Sequence, residues 1–329
     1  MTRIRTGWLA LVLVCACTDR GPASTETLEA LNARLQELGD SGITLGDTCT
    51  RFHHLWRDQL RLALLYADSS RSERHAAFRD ALYKPHERFW AGYVGGEKGF
   101  VREIADKWSE LERDPRAAAP LDHDVAGLIL QANRLASTLA GRPQRCSDWY
   151  LLYGPGWANM GGLGTGEMLV DFFGITDIEE DLSIYLPHEV AHVLYAGRPV
   201  DPDDGTLLAS ILSEGFATYF SVVFHEGRVS PAQALGYSTD EWNWAEANEA
   251  RLWGIAAPDL ATRDEERIRV FRAAGERILP DAPGKIGYFI GYRIVESYVA
   301  RHGPGSWVDF FDLPLNELVR RSGYAGEEH

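Results

Sequence analysis

Leu28, Leu31, Leu35 and Leu38 recur at the three-and-four spacing of one helix face, and Gly39 follows as a C-terminal cap. Phe52, Leu55, Trp56, Leu60 and Leu64 predict a second amphipathic helix, with Asp47 as its N-cap. A further helix carries Val125, Leu128, Ile129, Ala132, Ala136 and Leu139 and stops at Gly141, before Pro143. These stripes are core-facing surfaces and require no cofactor. Near Cys146 the pattern changes: DWYLLYGPG and GGLGTGEMLVDFFG set short aromatic and aliphatic runs between glycine-rich turns, which predicts two or three strands of a small sheet. Helical periodicity returns over 186–196 and 206–226, in shorter segments after that, and finally from Lys285 to Arg301. Helices, a small sheet, then helices again give an α+β fold that is predominantly α-helical. There is no internal repeat and no second apolar run that reads as a membrane span.

The first apolar run, Trp8 to Val14, follows Arg3 and Arg5 and is too short to span a bilayer, so it reads as a secretory signal. Its end, Val14-Cys15-Ala16-Cys17, is similar to the bacterial lipobox, in which a small residue precedes a cysteine that is lipidated and becomes the new N-terminus. Cys17 fits that position; Cys15 fits poorly because Val14 would fill the small-residue site. A simple cleaved signal ending near Ala16 is the alternative, and either way the mature chain lies outside the cytoplasm. Acyl chains on Cys17 would anchor it to a membrane. Thr18, rather than aspartate, after the lipidated cysteine suggests the outer membrane, facing the periplasm or the cell surface.

Composition adds exclusions. The chain has 329 residues and a formal charge of −15, which disfavours a nucleic-acid backbone or an anionic membrane surface as the main partner. Once Cys15 and Cys17 are set aside, Cys49 and Cys146 are the remaining thiols. In an oxidising compartment they are a candidate disulfide, with two buried free thiols as the alternative.

The candidate chemistry begins in YLPHEVAHVLYAGRP, residues 185–199. On a helix, His188 and His192 lie one turn apart on one face and can direct both imidazoles at a single ion. Pro187 places the expected helix start near Leu186, where a missing N–H costs nothing; Gly197 and Pro199 end it. Neutral imidazoles hold Zn²⁺, the metal lowers the pKa of a bound water, and Glu189 stands where a general base would take that water's proton. A third ligand is needed. Tyr195 and Arg198 exclude the HExxHxxGxxH arrangement. The apolar segment TLLASILSEGFATYFSVVF, residues 206–224, carries one acid, Glu214, whose burial among leucines and phenylalanines would demand a cation or a partner. The alternative for Glu214 is a surface acid at the edge of the apolar face. Gly215 beside it is expected to admit the close approach of the histidine helix.

HEVAH followed by SEGFATYF resembles the gluzincin metallopeptidases, whose third zinc ligand is a helix-borne glutamate. Closer still is the resemblance to a family of predicted zinc-dependent proteases, a domain of unknown function found in bacterial secreted proteins and lipoproteins, which pairs these helices with a downstream segment like GYFIGYRIVESY, residues 287–298. The likeness spans about Trp149 to Tyr298. It implies a gluzincin-like catalytic core with a small sheet before the HExxH helix, His188, His192 and Glu214 as zinc ligands, and Glu189 as general base. Thermolysin-like gluzincins carry an aspartate four residues after the ligand glutamate to orient a histidine; here that position is Thr218, so the orienting group must come from elsewhere.

The resulting organisation is a lipoprotein signal peptide at 1–16, a tether at 17–24, a helical region at 25–145 and a zinc metallopeptidase-like region at 146–329. Tyr288 and Tyr292, four apart, are candidate oxyanion donors, with amphipathic core packing as the alternative, and His225 is a weaker candidate. Gly287 and Gly291 would let a neighbour pack closely against the same helix. GTGEMLVDFFG is a candidate edge strand for an extended peptide, whereas GGLGTG lacks the features of a phosphate loop. His53, His54, His75, His86 and His123 read as surface or packing residues. The leading expectation is a membrane-tethered, extracytoplasmic zinc metallopeptidase acting on a peptide or protein substrate. The alternative is a non-catalytic binding lipoprotein with a structural or vestigial zinc site.

Overall fold

The computed structural model describes residues 28–38, 43–45, 50–113, 115–163 and 166–324. Cys17, Cys49, Gly39 and Asp47, with the signal and tether, lie outside the described residues. Five strands, β1 (Ile43–Leu45), β2 (Thr50–His53), β3 (Ser147–Leu152), β4 (Met160–Gly162) and β5 (Glu167–Asp171), form one mixed sheet in the order β1-β2-β3-β5-β4. β2, β3 and β5 run parallel, and β1 and β4 add antiparallel edges. The helices used below are α1 (Leu28–Glu37), α2 (Leu55–Leu65), α3 (Val125–Ala140), α4 (Ile178–Tyr195), α5 (Leu207–Phe224), α6 (Ile286–His302) and α7 (Leu315–Ser322). The chain is thus an α+β protein in which helices predominate.

β3 explains the layering. Its side chains alternate between two cores, as the strand period of two requires: Trp149 and Leu151 face one, Tyr150 and Leu152 the other. On the first face lie α2, α3 and α4, and behind them α5 and α6. The second face is covered by Phe78, Leu82, Phe89, Trp90, Phe100 and Ile104 from the short helical segments between residues 71 and 105. The amino-terminal region therefore completes the sheet's second core, and β2 belongs to the same sheet as β3. The boundary between residues 145 and 146 falls beside β3, inside a layer that both segments build.

Several local expectations change. Phe52 lies in β2 rather than in a helix, because the chain pairs with β3 in register, Phe52 opposite Trp149, before α2 begins at Leu55. β5 is an interior strand between β3 and β4, so the segment expected as an edge has no free side; β4 is the edge. α3 ends at Gly141 in the left-handed region, φ 60°, as the glycine cap predicts. Cys146 is exposed and forms no disulfide among the described residues, which do not include Cys49. His53 and His54 are packing residues, both buried, with the His53 ring stacked 4.2 Å from Tyr150.

α4 starts two turns earlier than Pro187 suggests. Asp177 caps it by accepting from the Glu180 amide at 3.0 Å, and Glu179, Glu180 and Asp181 place negative charge in the first turn. Pro187 consequently sits in the helix interior, where it deprives the Ser183 carbonyl of its usual donor. The His225 ring interacts with that carbonyl, which gives this histidine a structural task at the end of α5.

α5 is the one described helix whose 18 residues are long and apolar enough to cross a membrane, yet it is packed among α4, α6 and α7. Against α6 the contact is backbone to backbone. A Cβ on Gly215 would lie 2.0 Å from the Gly291 carbonyl carbon, and one on Gly291 would lie 2.0 Å from the Ile211 carbonyl oxygen. Gly215 therefore serves the α5–α6 crossing, not the approach of the histidine helix.

Two predictions follow from this packing. Gly291→Ala should destabilise the protein by about 3 kcal/mol or prevent folding, since neither backbone can yield to the methyl group; urea unfolding against an exposed control, Gly254→Ala, measures it. The second concerns His54, which is 5% exposed and whose pKa burial, then Arg57 and His53, push down to about 4. It stays neutral when folded but protonates near pH 6.5 once unfolded. Its contribution is intact above pH 6.5 and lost as the pH falls toward 4, by on the order of 3 kcal/mol, and His54→Gln should flatten that part of the pH–stability curve.

Candidate metal centre

α4 and α5 bring His188, His192 and Glu214 together, the one convergent group of three metal-binding side chains among the described residues. The His188 Nε2 to Glu214 Oε2 distance is 3.2 Å, His192 Nε2 to the same oxygen 3.1 Å, and the two Nε2 atoms are 3.1 Å apart. Three donors bound at about 2.0–2.1 Å to a tetrahedral Zn²⁺ lie roughly 3.3 Å from one another, so this triangle is the size the ion requires. The donor chemistry agrees, since two ring nitrogens facing each other at this distance share at most one proton, while a cation satisfies both together with the carboxylate. The residues present fit Zn²⁺.

Electrostatics tie the three side chains together. Burial opposes the charging of His192, but the adjacent Glu214 outweighs it and raises the imidazole pKa to about 9. Burial likewise disfavours the Glu214 carboxylate, and the two imidazoles reverse that, holding its pKa well below the usual carboxylate range. The acid is enclosed, its side chain 15% exposed, and it is fully committed to the histidines.

The group that orients His192 is Ser213. Its hydroxyl lies 3.2 Å from His192 Nδ1, which fixes the ring so that Nε2 faces the cluster. Thr218, at the position where the gluzincin pattern has aspartate, instead donates to the Glu214 carbonyl within α5 at 2.9 Å. Ser213 immediately precedes Glu214, but its closeness to the second histidine comes from the packing of α5 on α4.

The two tyrosines separate. The Tyr288 ring stacks on His188 at 5.8 Å and its hydroxyl interacts with Glu214; burial, then the charges of Glu214 and Glu189, raise its pKa. Tyr292 is not part of the cluster: its hydroxyl donates to Glu296 at 3.0 Å, and its ring packs against Tyr219 and Trp242. Lys285 was not foreseen. It holds a left-handed conformation, φ 56°, directly before α6, with its ammonium 5.7 Å from the centre of the Tyr288 ring and 3.5 Å from the Leu235 carbonyl. Burial lowers its pKa, against the pull of Glu214 and Glu189. Glu189 is partly exposed on α4, one residue from His188.

A family model described as Gliding motility protein GldB matches residues 183–326, which is under half of the chain but contains every residue of the cluster. No curated protein and no solved structure gives a significant match. The finding corrects the expected zinc metallopeptidase: the family similar to this segment is one of motility lipoproteins. The gluzincin resemblance rests on short helix-borne strings and a donor set, and ligands alone do not fix a reaction. Hydrolysis, and a peptide substrate with it, is withdrawn. The lipoprotein family agrees with the lipobox, and the chain is a lipid-anchored protein of the bacterial cell envelope.

Ser213→Ala should weaken Zn²⁺ binding by 10- to 100-fold, roughly the effect of losing a group that orients a ligand histidine, without unfolding the protein. Competition with a chromophoric chelator reads the affinity, and Ser213→Thr should restore most of it.

Proposed function

We propose that this chain is a non-catalytic, lipid-anchored binding protein of the cell envelope that works with the machinery of gliding motility, and that His188, His192 and Glu214 hold a structural Zn²⁺. The observation that carries this reading is that the family match spans the complete donor set. The ion would cross-link α4 to α5, on which the donors lie, and would neutralise the one carboxylate in the middle of an apolar helix. The surfaces of the helical layers, rather than a cleft for a scissile bond, would then meet envelope protein partners. The strong acidity of the chain suits partners that offer basic surfaces.

The reading has a direct test in the host bacterium. Purified protein should hold one equivalent of zinc, and chelation or His188→Ala should lower its melting temperature. In a deletion strain, Glu189→Gln should support surface spreading as wild type does, because no proton transfer is asked of it, whereas His188→Ala should lose spreading together with stability. Loss of spreading in a Glu189→Gln protein that keeps its zinc and its melting temperature would sink the proposal.

A further inference from the structure

A cavity of about 300 Å³ opens between α2, α3, β3 and the segment preceding α3, and none of its lining residues belongs to the metal cluster. Its apolar walls are Trp56, Val125, Leu151 and Phe172. Trp56 and Phe172 stand at a right angle, 86° between planes with centroids 6.2 Å apart, which leaves a corner suited to a flat or branched apolar group. The volume lies at the small end of ligand sites, which run from roughly 300 to 1,000 Å³.

The polar lining is unbalanced. Asp122 accepts from Arg34 at 2.7 Å, and Asp124 accepts from the Gly127 amide at 2.9 Å, so both acids have partners. Arg57 lies over the Trp56 ring, 5.3 Å from its centroid, but its Nε makes no hydrogen bond and its guanidinium no ion pair among the described residues. The nearest acid on its own helix, Asp58, lies 3.4 Å from Arg61 and is engaged there. Burial and then the like charge of Arg61 both disfavour the Arg57 cation, against a smaller pull from Asp58. A half-buried guanidinium in the wall of a cavity, with no acceptor among the described residues, is a site that an anion would complete.

We propose that this cavity binds a small monocarboxylate with an apolar body, its carboxylate on Arg57 and its body against Trp56 and Phe172. One unpaired cation matches one negative charge. A dianion such as a phosphate monoester would meet the carboxylates of Asp122 and Asp124 at the same cavity, within a chain of charge −15. The planar guanidinium fork suits the two oxygens of a carboxylate, and the volume fits an aryl or short branched-alkyl acid rather than a long lipid. The inference is independent of the metal centre and of the role in motility.

Phenylacetate is the probe and phenylacetamide its uncharged counterpart, titrated into the full-length protein by calorimetry and by the fluorescence of Trp56 and its neighbours. The expected result is saturable one-to-one binding of phenylacetate, at least tenfold weaker binding of the amide, and at least a tenfold loss of phenylacetate affinity in Arg57→Gln that Arg57→Lys recovers in part. No saturation up to about 10 mM, where even a weak site would show, equal binding of the amide, or an unchanged Arg57→Gln would each overturn the proposal. If Arg57→Gln does not fold, Ala126→Phe decides the matter, because it fills the cavity from another wall and leaves Arg57 in place. Loss of binding in that folded variant supports the site, and retained binding overturns it.

Discussion

The contact between Gly215 and Gly291 sets the position of everything around the metal cluster. Two helix backbones meet there with no side chain between them, so the α5–α6 distance is fixed by main-chain atoms and not by rotamers. Glu214 precedes one of these glycines and Tyr288 lies three residues before the other. The crossing therefore places the phenol over the acid and against His188. A wider crossing would open the acid to water and remove the reason for its pairing with two imidazoles.

That pairing is the second constraint. α5 is apolar enough to cross a membrane but carries one carboxylate at its middle, a combination that is unstable unless a cation is supplied. His192, whose pKa Glu214 raises, supplies it in part; a divalent ion at the same point would supply it fully. The histidines reach the acid because α4 begins at Ile178, which gives that helix two full turns of packing before the first ligand. Pro187, inside the helix, is tolerated because His225 attends to the carbonyl it leaves behind.

These facts explain what was legible in the chain. His188, His192 and Glu214 were readable because ligand spacing on helices is a local property, and the same holds for the glycine that ends α3. Ser213 was not, since it matters only through His192 on another helix, and Lys285 was not, since its place depends on a left-handed residue before α6 and on the Leu235 carbonyl. Phe52 misled because an apolar residue at helical spacing from Leu55 and Trp56 is equally at home in a strand, and only the partner β3 decides. Pro187 misled for a different reason: the rule that proline opens a helix ignores donors brought in by tertiary contacts. Tyr292 shared its helix and spacing with Tyr288, yet a one-turn displacement along α6 carries its hydroxyl to Glu296 instead of Glu214.

The step from metal ligands to reaction is where local reading and function part. HExxH with a distant glutamate describes the donors of an ion, and the ligands alone do not state what the ion does. Here the ligand helices are also core helices: α4 lies against α3 and the sheet, and α5 lies against α4, α6 and α7, so an ion bound between them acts first on packing. The cluster is walled by the Tyr288 ring on the His188 side, with Lys285 beyond that ring. An ion held by these largely buried donors would join the two helices at the centre of the helical layer.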